Sequence, residues 1–142
     1  MGFLTGKTAI ITGGGRAVLS NGECGSIGYG IATAYAKEGA NLVVTGRNVQ
    51  KLTDAKEELE KKYGIKVLPV QADVSASADN EAIVQNVVKQ AIDTFGRIDV
   101  LINNAQASAS GVTIADHTTE QFDLAVYSGP VSYTHLTLST KR

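Results

Sequence analysis

Apolar residues occur along the chain in two alternating patterns. Short continuous apolar runs, rich in β-branched residues and bounded by glycines or polar turns, are typical of buried strands. Between these runs, apolar residues recur every three or four positions, which indicates amphipathic helices. The patterns predict strands over residues 8–12, 41–46, 66–74 and 98–105, and helices over residues 26–39, 49–64 and 75–96.

This alternation predicts an α/β fold with one parallel sheet, because each return to a parallel strand requires a helical crossover. Right-handed crossovers make it a Rossmann-type doubly wound sheet with the strand order 3-2-1-4. Pro69 lies in the third predicted strand and has no backbone N–H to donate, so we expect that strand at an edge of the sheet. The predicted order places it there.

The segment after the fourth strand departs from the pattern. A fourth helix is predicted to start near Thr118, and Pro130 is expected to break it. The residues beyond, SYTHLTLST, alternate polar and apolar positions like a lone strand. Residues 130–138, PVSYTHLTL, also resemble one reading frame of a common transposon-type sequencing adapter, so we predict that residues 129–142 form a non-native tail. A short natural C-terminal strand is the alternative.

The composition is that of an ordinary globular domain. Of the 142 residues, 43% are hydrophobic and 19% are charged, and the formal net charge is -1. Without a basic surplus we expect no nucleic-acid or membrane partner, and no apolar run is long enough to span a bilayer. Cys24 is the only cysteine, and the N-terminus lacks a signal-peptide pattern, so we expect a cytoplasmic location.

Glycines separate the first predicted strand from the first helix. Gly13 permits a turn that a Cβ would obstruct, and Gly28 lets the helix start close to the sheet. Such a loop directs backbone amides and the positive end of the helix at one point, which suits a pyrophosphate. Ten residues, 17–26, interrupt the loop. Either they bulge out as a flap or the loop is remodelled, and the turn residues Asn21 and Gly22 favour a flap.

The interrupted loop resembles the Thr-Gly-x-x-x-Gly-x-Gly motif of the short-chain dehydrogenase/reductase family. Residues 12–16, TGGGR, match the first half of the motif, and residues 26–32, SIGYGIA, match the start of the following helix. The resemblance implies an oxidoreductase that binds a nicotinamide dinucleotide. In this loop it implies six cofactor-binding residues: Gly13, Gly14, Arg16, Ser26, Ile27 and Gly28.

The end of the second strand indicates which dinucleotide is bound. An acidic residue there would bind the ribose 2′-hydroxyl and repel a 2′-phosphate. Gly46 stands where NAD-preferring members of the family carry Asp, and Arg47 follows it. Together with Arg16, Arg47 would bind a 2′-phosphate through charge-assisted hydrogen bonds. We therefore predict NADP(H) in preference to NAD(H), with Arg47 in the site.

The ends of the third and fourth strands carry two further matches to the family. Asp73 and Val74 match an Asp-Val pair that borders the adenine ring in family members. The run from Asn103 to Ala105 resembles the family's Asn-Asn-Ala-Gly motif, which lies beside the cofactor ribose, although Gln106 replaces the glycine. The resemblance adds Asp73, Val74, Asn103 and Ala105 to the predicted cofactor site.

The family's catalytic residues have no match in this chain. Members transfer hydride with a Tyr-x-x-x-Lys pair, a Ser and often an Asn. None of the five tyrosines has Lys four residues later, and the Asn position falls at Gly129. We predict no catalytic residue and no metal site here, and a partial dinucleotide-binding domain over residues 1–128.

These observations predict the NADP(H)-binding part of an enzyme that interconverts a carbonyl and an alcohol, with the chain itself inactive. The intact parent would act on a small-molecule substrate and form a homo-oligomer. Two alternatives stay open. One is a member resembling enoyl-thioester reductases, whose first loop is also elongated. The other is a non-catalytic nucleotide-binding or redox-sensing module.

Overall fold

The computed structural model describes residues 2–74 and 80–140. The first part of the predicted third helix, residues 75–79, lies outside this description. The strands are β1 (Thr8–Thr12), β2 (Asn41–Gly46), β3 (Val67–Gln71) and β4 (Val100–Ile102). The helices are α1 (Ile27–Lys37), α2 (Val49–Tyr63), α3 (Asn80–Phe95), α4 (Thr119–Val126) and α5 (Ser132–Thr140), with a 3-10 turn at Ile114–Asp116 and a π turn at Tyr127–Val131.

The four strands form one parallel sheet in the order β3-β2-β1-β4. The predicted Rossmann-type doubly wound fold is therefore confirmed. Pro69 lies opposite Val44 on the edge strand β3, where its missing N–H removes no bond that a central ladder needs. The other edge strand, β4, has three residues, and all three are half-buried.

The core occupies both faces of the sheet. On one face, Ile11 and Val44 pack with buried side chains of α1 and α2, among them Tyr29 and Leu52. On the opposite face, Ile10 packs with buried side chains of β2, β3 and α3. Successive strand residues thus face two different helical layers, and this is why the central strands are continuous apolar runs.

Short-range signals set the ends of the helices. The Ser26 hydroxyl accepts a hydrogen bond from the Tyr29 amide at 3.4 Å and caps α1. The Asn48 side chain accepts one from the Lys51 amide at 3.0 Å and caps α2. Gly64 ends α2 in the left-handed region, with φ 68°, which glycine adopts without a steric penalty.

The interrupting residues form a small flap. Val18 and Cys24 make an antiparallel bridge, and the Gly22 amide donates to the Leu19 carbonyl at 2.9 Å. Gly22 has φ 83°, so the predicted turn at Asn21 and Gly22 is present. The structure thus favours the flap over a remodelled loop.

The predicted break at Pro130 and the predicted strand beyond it are wrong. The chain passes from α4 through the π turn into α5 without leaving the helical region. The fully buried Leu136 of α5 packs in a cluster with Val74 and Val84. The non-native origin of residues 129–142 stays a prediction. None of the helices within residues 2–74 and 80–140 has the length and apolarity that a membrane span requires.

Candidate functional site

A cavity of about 260 Å³ lies where the strands end at their carboxyl edge. This is the place where open parallel sheets bind ligands, because loops diverge there on either side of the point at which strand order reverses. The lining residues come from the ends of all four strands and from the start of the π turn. They are Gly13, Thr45, Gly46, Arg47, Ala72, Asp73, Val74, Asn104, Ala105, Gln106, Ala107 and Ser128.

Thr12 fixes the end of β4 to the end of β1. Its hydroxyl accepts hydrogen bonds from the amides of Asn104 and Ala105, both at 2.9 Å, and donates to the Ile102 carbonyl at 3.3 Å. The Asn104 side-chain amide donates to the Thr12 carbonyl at 2.9 Å. Four hydrogen bonds therefore position the two chain segments that flank the cavity.

Gly13 and Gly28 have no room for side chains. Gly13 has φ 70°, and a Cβ there would lie 2.9 Å from the Asn104 side-chain nitrogen. A Cβ on Gly28 would lie 2.1 Å from the Gly13 carbonyl oxygen. The start of α1 therefore packs directly on the loop. We call Gly13 and Gly28 the glycine cradle, because a single methyl group on either residue would fill the space between the helix and the loop.

The amides that could meet an anion belong to the start of α1. The first amides of a helix have no intrahelical acceptor and carry partial positive charge, and here they are those of Ile27 and Gly28. Gly14 is used differently, because its amide donates to the Thr45 carbonyl at 3.1 Å and ties the loop to β2. No flap residue is among those that line the cavity.

The two predicted phosphate-binding arginines lie in different places. Arg47 lines the cavity beside Gly46, and its carbonyl accepts a hydrogen bond from the Gln71 side chain at 3.1 Å. Arg16 does not line the cavity. Its guanidinium is ion-paired with Glu58 of α2, and its backbone amide donates to the Lys51 carbonyl at 2.7 Å.

The charges around Arg16 form a small network. Hydrogen bonds from Lys62 and then Arg16 lower the pKa of the Glu58 carboxyl to about 2. Burial raises the pKa of the Tyr29 hydroxyl, and the nearby Glu58 charge raises it further. This hydroxyl is buried beside the Glu58 carboxylate.

The two neighbouring asparagines also differ in their placement. The Asn103 side chain contacts α5, donating to the Thr137 hydroxyl at 3.4 Å, whereas Asn104 faces the first loop. Ser128 closes the cavity by accepting a hydrogen bond from the Ala107 amide at 2.9 Å. Within the ranges that the structure covers, no group of three His, Cys, Asp or Glu side chains could hold a metal ion.

The structure brings together part of the predicted cofactor site. Five of the predicted residues line one cavity: Gly13, Arg47, Asp73, Val74 and Ala105. Three lie at the adjoining start of α1, namely Ser26, Ile27 and Gly28. The other three have contacts elsewhere: Gly14, Arg16 and Asn103. Sequence reasoning omitted Thr12 and Asn104, although the threonine before the glycines and the second asparagine are both part of the quoted motifs.

A doubly wound parallel sheet with a glycine-lined crevice at its strand ends defines the class of Rossmann-type nucleotide-binding domains. Within that class, the chain belongs to the short chain dehydrogenase family, whose sequence pattern matches residues 7–139. The predicted family membership is confirmed.

Individual relatives agree with this assignment. The chain is 63% identical over 129 residues to a 12alpha-hydroxysteroid dehydrogenase of Clostridium sp., a match that covers 91% of this chain and 47% of that protein. It is 36% identical over 103 residues to a peroxisomal 2,4-dienoyl-CoA reductase of Mus musculus, covering 72% of this chain and 31% of that protein. The chain thus spans half or less of the length of these relatives.

A solved structure shows the same fold. L-sorbose reductase from Gluconobacter frateurii, complexed with NADPH and L-sorbose, superposes with a TM-score of 0.82 at 31% sequence identity. The superposition covers 99% of this chain and 48% of the reductase.

Proposed function

We propose that this chain binds NADP(H) in the cavity at the strand ends, as the cofactor-binding part of an oxidoreductase that interconverts an alcohol and a carbonyl. The observation that carries the proposal is that two consecutive residues, Gly46 and Arg47, line the wall of the cavity. The end of β2 has no carboxylate to bind a ribose diol or repel a 2′-phosphate, and it offers a guanidinium instead.

The pyrophosphate, the adenine ring and a ribose of the dinucleotide each have a candidate group on the chain. The pyrophosphate would lie against Gly13 and the first amides of α1, at Ile27 and Gly28. Asp73 and Val74 would border the adenine ring, and Ala105 would border the ribose. NADPH supplies a hydride when bound, while the residues described here bind and orient it.

The substrate of the longer protein is proposed from its relatives. The identity to a 12alpha-hydroxysteroid dehydrogenase is 63%, against 36% to a 2,4-dienoyl-CoA reductase. This difference favours a hydroxyl group on a steroid-like ring over a thioester-linked double bond. Because none of the five tyrosines has Lys four residues later, we propose that the 142-residue chain binds the cofactor without catalysing hydride transfer.

Calorimetric titration of the chain with NADPH and with NADH tests the cofactor proposal. We expect tighter binding of NADPH. Gly46→Asp should weaken NADPH binding at least about tenfold and NADH binding far less, because the new carboxylate repels the 2′-phosphate. The fold should tolerate this change, since a Cβ at Gly46 makes only an ordinary contact of 3.5 Å with Leu52.

Asn48→Asp is the matched control for added charge in the same loop. Asp caps a helix as well as Asn does, and residue 48 does not line the cavity, so the ratio of the two dissociation constants should change little. The proposal fails if the unaltered chain binds NADH as tightly as NADPH, or if it binds neither nucleotide.

A further inference from the structure

Arg16 points away from the end of β2. Its backbone amide is bonded to the Lys51 carbonyl, and its guanidinium pairs with Glu58. Lys51 and Glu58 are seven residues apart on α2, which corresponds to about 10 Å along a helix that rises 1.5 Å per residue. The side chain therefore extends toward the C-terminal end of α2, whereas Arg47 lies just before the start of that helix.

Glu58 has other groups within reach besides Arg16. Lys62 donates to its second carboxylate oxygen at 2.9 Å. The Tyr29 hydroxyl is buried close to the Glu58 carboxylate and interacts with it. If Arg16 moved, Glu58 would keep the Lys62 cation and the buried Tyr29 hydroxyl beside it. Breaking an ion pair is costly mainly when it leaves a charged group without a partner. The departure of Arg16 would not leave the Glu58 carboxylate unpaired.

We propose that Glu58 is a specificity-determining residue, because it competes with the 2′-phosphate of NADP(H) for Arg16. This inference rests on the proposed function. With Glu58 in place, Arg47 meets the phosphate and Arg16 is held along α2. Without the Glu58 charge, Arg16 would turn back toward the start of α2 and add a second guanidinium at the phosphate.

NADPH and NADH differ only in the 2′-phosphate, so a competition for Arg16 predicts different effects on the binding of the two nucleotides. Released Arg16 would strengthen the binding of NADPH and leave that of NADH unchanged, because NADH has no group for a second arginine at that position. A purely structural role for the Arg16–Glu58 pair would instead affect both nucleotides alike, since both need the same glycine loop.

The test is Glu58→Gln in the full 142-residue chain, with the dissociation constants of NADPH and NADH measured by calorimetry. We expect NADPH to bind about three- to tenfold more tightly, the usual effect of one additional charge-assisted contact near a surface. NADH should stay within about twofold, which corresponds to less than RT in free energy. The double variant Glu58→Gln/Arg16→Gln should lose the gain.

Glu57→Gln is the matched control. Glu57 lies in the same groove between the flap and α2, and the same charge is removed, but the structure gives it no ion pair with Arg16. If Glu58→Gln does not fold, as judged by circular dichroism, Glu58→Asp replaces it. The shorter side chain keeps the charge but withdraws it from Arg16, so the same preferential gain for NADPH is expected.

The outcomes separate this inference from the function on which it rests. If the unaltered chain binds neither nucleotide, both are overturned. If it prefers NADPH but Glu58→Gln and Glu57→Gln give equal changes, or NADPH and NADH gain alike, the role of Glu58 is overturned and the proposed function stands. A gain confined to NADPH and abolished in the double variant supports the competition.

Discussion

Thr12 and Thr45 offer a sharp test of what holds the site together. The two residues lie opposite each other at the ends of β1 and β2, and both are at most 1% exposed. The Thr12 hydroxyl makes three hydrogen bonds to the end of β4. The Thr45 hydroxyl is buried and has no partner in the described part of the chain. Replacing each by valine removes one hydroxyl and keeps the β-branched shape.

The expected costs differ because one substitution leaves two half-buried donors without their acceptor. In Thr12→Val, the amides of Asn104 and Ala105 lose the oxygen that lies 2.9 Å from each. A fully buried donor without a partner costs about 1–3 kcal/mol. These two amides are half-buried, so together they should lower the free energy of unfolding by about 1–3 kcal/mol. In Thr45→Val, an unsatisfied hydroxyl becomes a methyl group. The free energy of unfolding should therefore stay within about 0.5 kcal/mol or rise.

Urea denaturation followed by far-ultraviolet circular dichroism measures both values on the same scale. If the slope with denaturant is unchanged, the midpoints report the difference in stability directly. Equal losses in the two valine variants would refute the reasoning, because the β-branched shape and burial are matched and only the hydrogen bonds differ. A decrease in the free energy of unfolding in Thr45→Val alone would also refute the reasoning, because it would mean that Thr45 and not Thr12 stabilises the site.

Three further predictions concern the tail, the acid response and the glycine cradle. Leu136→Ala should lower the free energy of unfolding, measured by urea denaturation, by about 2–4 kcal/mol because Leu136 is fully buried. Leu138 is 60% exposed, so Leu138→Ala should lower it little. Equally small effects of the two changes would contradict the packing of α5 on the rest of the fold. Hydrogen bonds from the Arg97 side chain and from the Thr8 amide lower the pKa of the Asp99 carboxyl from 3.8 to about 2. The ionised carboxylate therefore stabilises the fold above about pH 4, and this stabilisation is lost as the pH falls toward 2. The melting temperature of Asp99→Asn should decrease less steeply with falling pH than that of the unaltered chain. An unchanged slope would exclude this role. Gly28→Ala should weaken both nucleotides and lower stability by about 1–3 kcal/mol, because its Cβ would lie 2.1 Å from a carbonyl oxygen; Gly30→Ala, with its nearest contact at 3.9 Å, should be neutral or stabilising, and similar effects of the two would be evidence against the cradle.

The elements that the sequence predicts well are those set by neighbours along the chain. β1 and β2 have the predicted bounds, because central strands covered on both faces must be apolar at every position. The start of α2 follows from the side chain of Asn48, only three residues before the amide it caps. Strand ends are predicted less well. β4 stops at Ile102 rather than residue 105 because the next amides bond to the Thr12 hydroxyl instead of a neighbouring strand.

The site is predicted in outline because the carboxyl ends of parallel strands meet at one edge. The strand order alone brings Gly13, Arg47, Asp73 and Ala105 to one cavity. The direction of a long side chain is not set in this way. Arg16 is predicted from its position after the glycines, but its contact with Glu58 joins residues 42 positions apart. No local pattern identifies that partner, and the partner decides where the charge lies.

Pro130 shows why a local rule fails when the helix changes its register. A proline breaks an α-helix because it lacks the N–H that would bond to the carbonyl four residues earlier. Here the Ser132 amide bonds to the Tyr127 carbonyl, five residues earlier, and the Ser132 hydroxyl donates to the Ser128 carbonyl at 2.7 Å. The widened turn accommodates the proline and re-satisfies the carbonyls around it. The helix that continues buries Ser132 and Leu136 on one face, a spacing of four that the alternating leucine pattern concealed. Burial of Leu136 against α3 therefore selects a helix where the residue pattern alone predicts a strand.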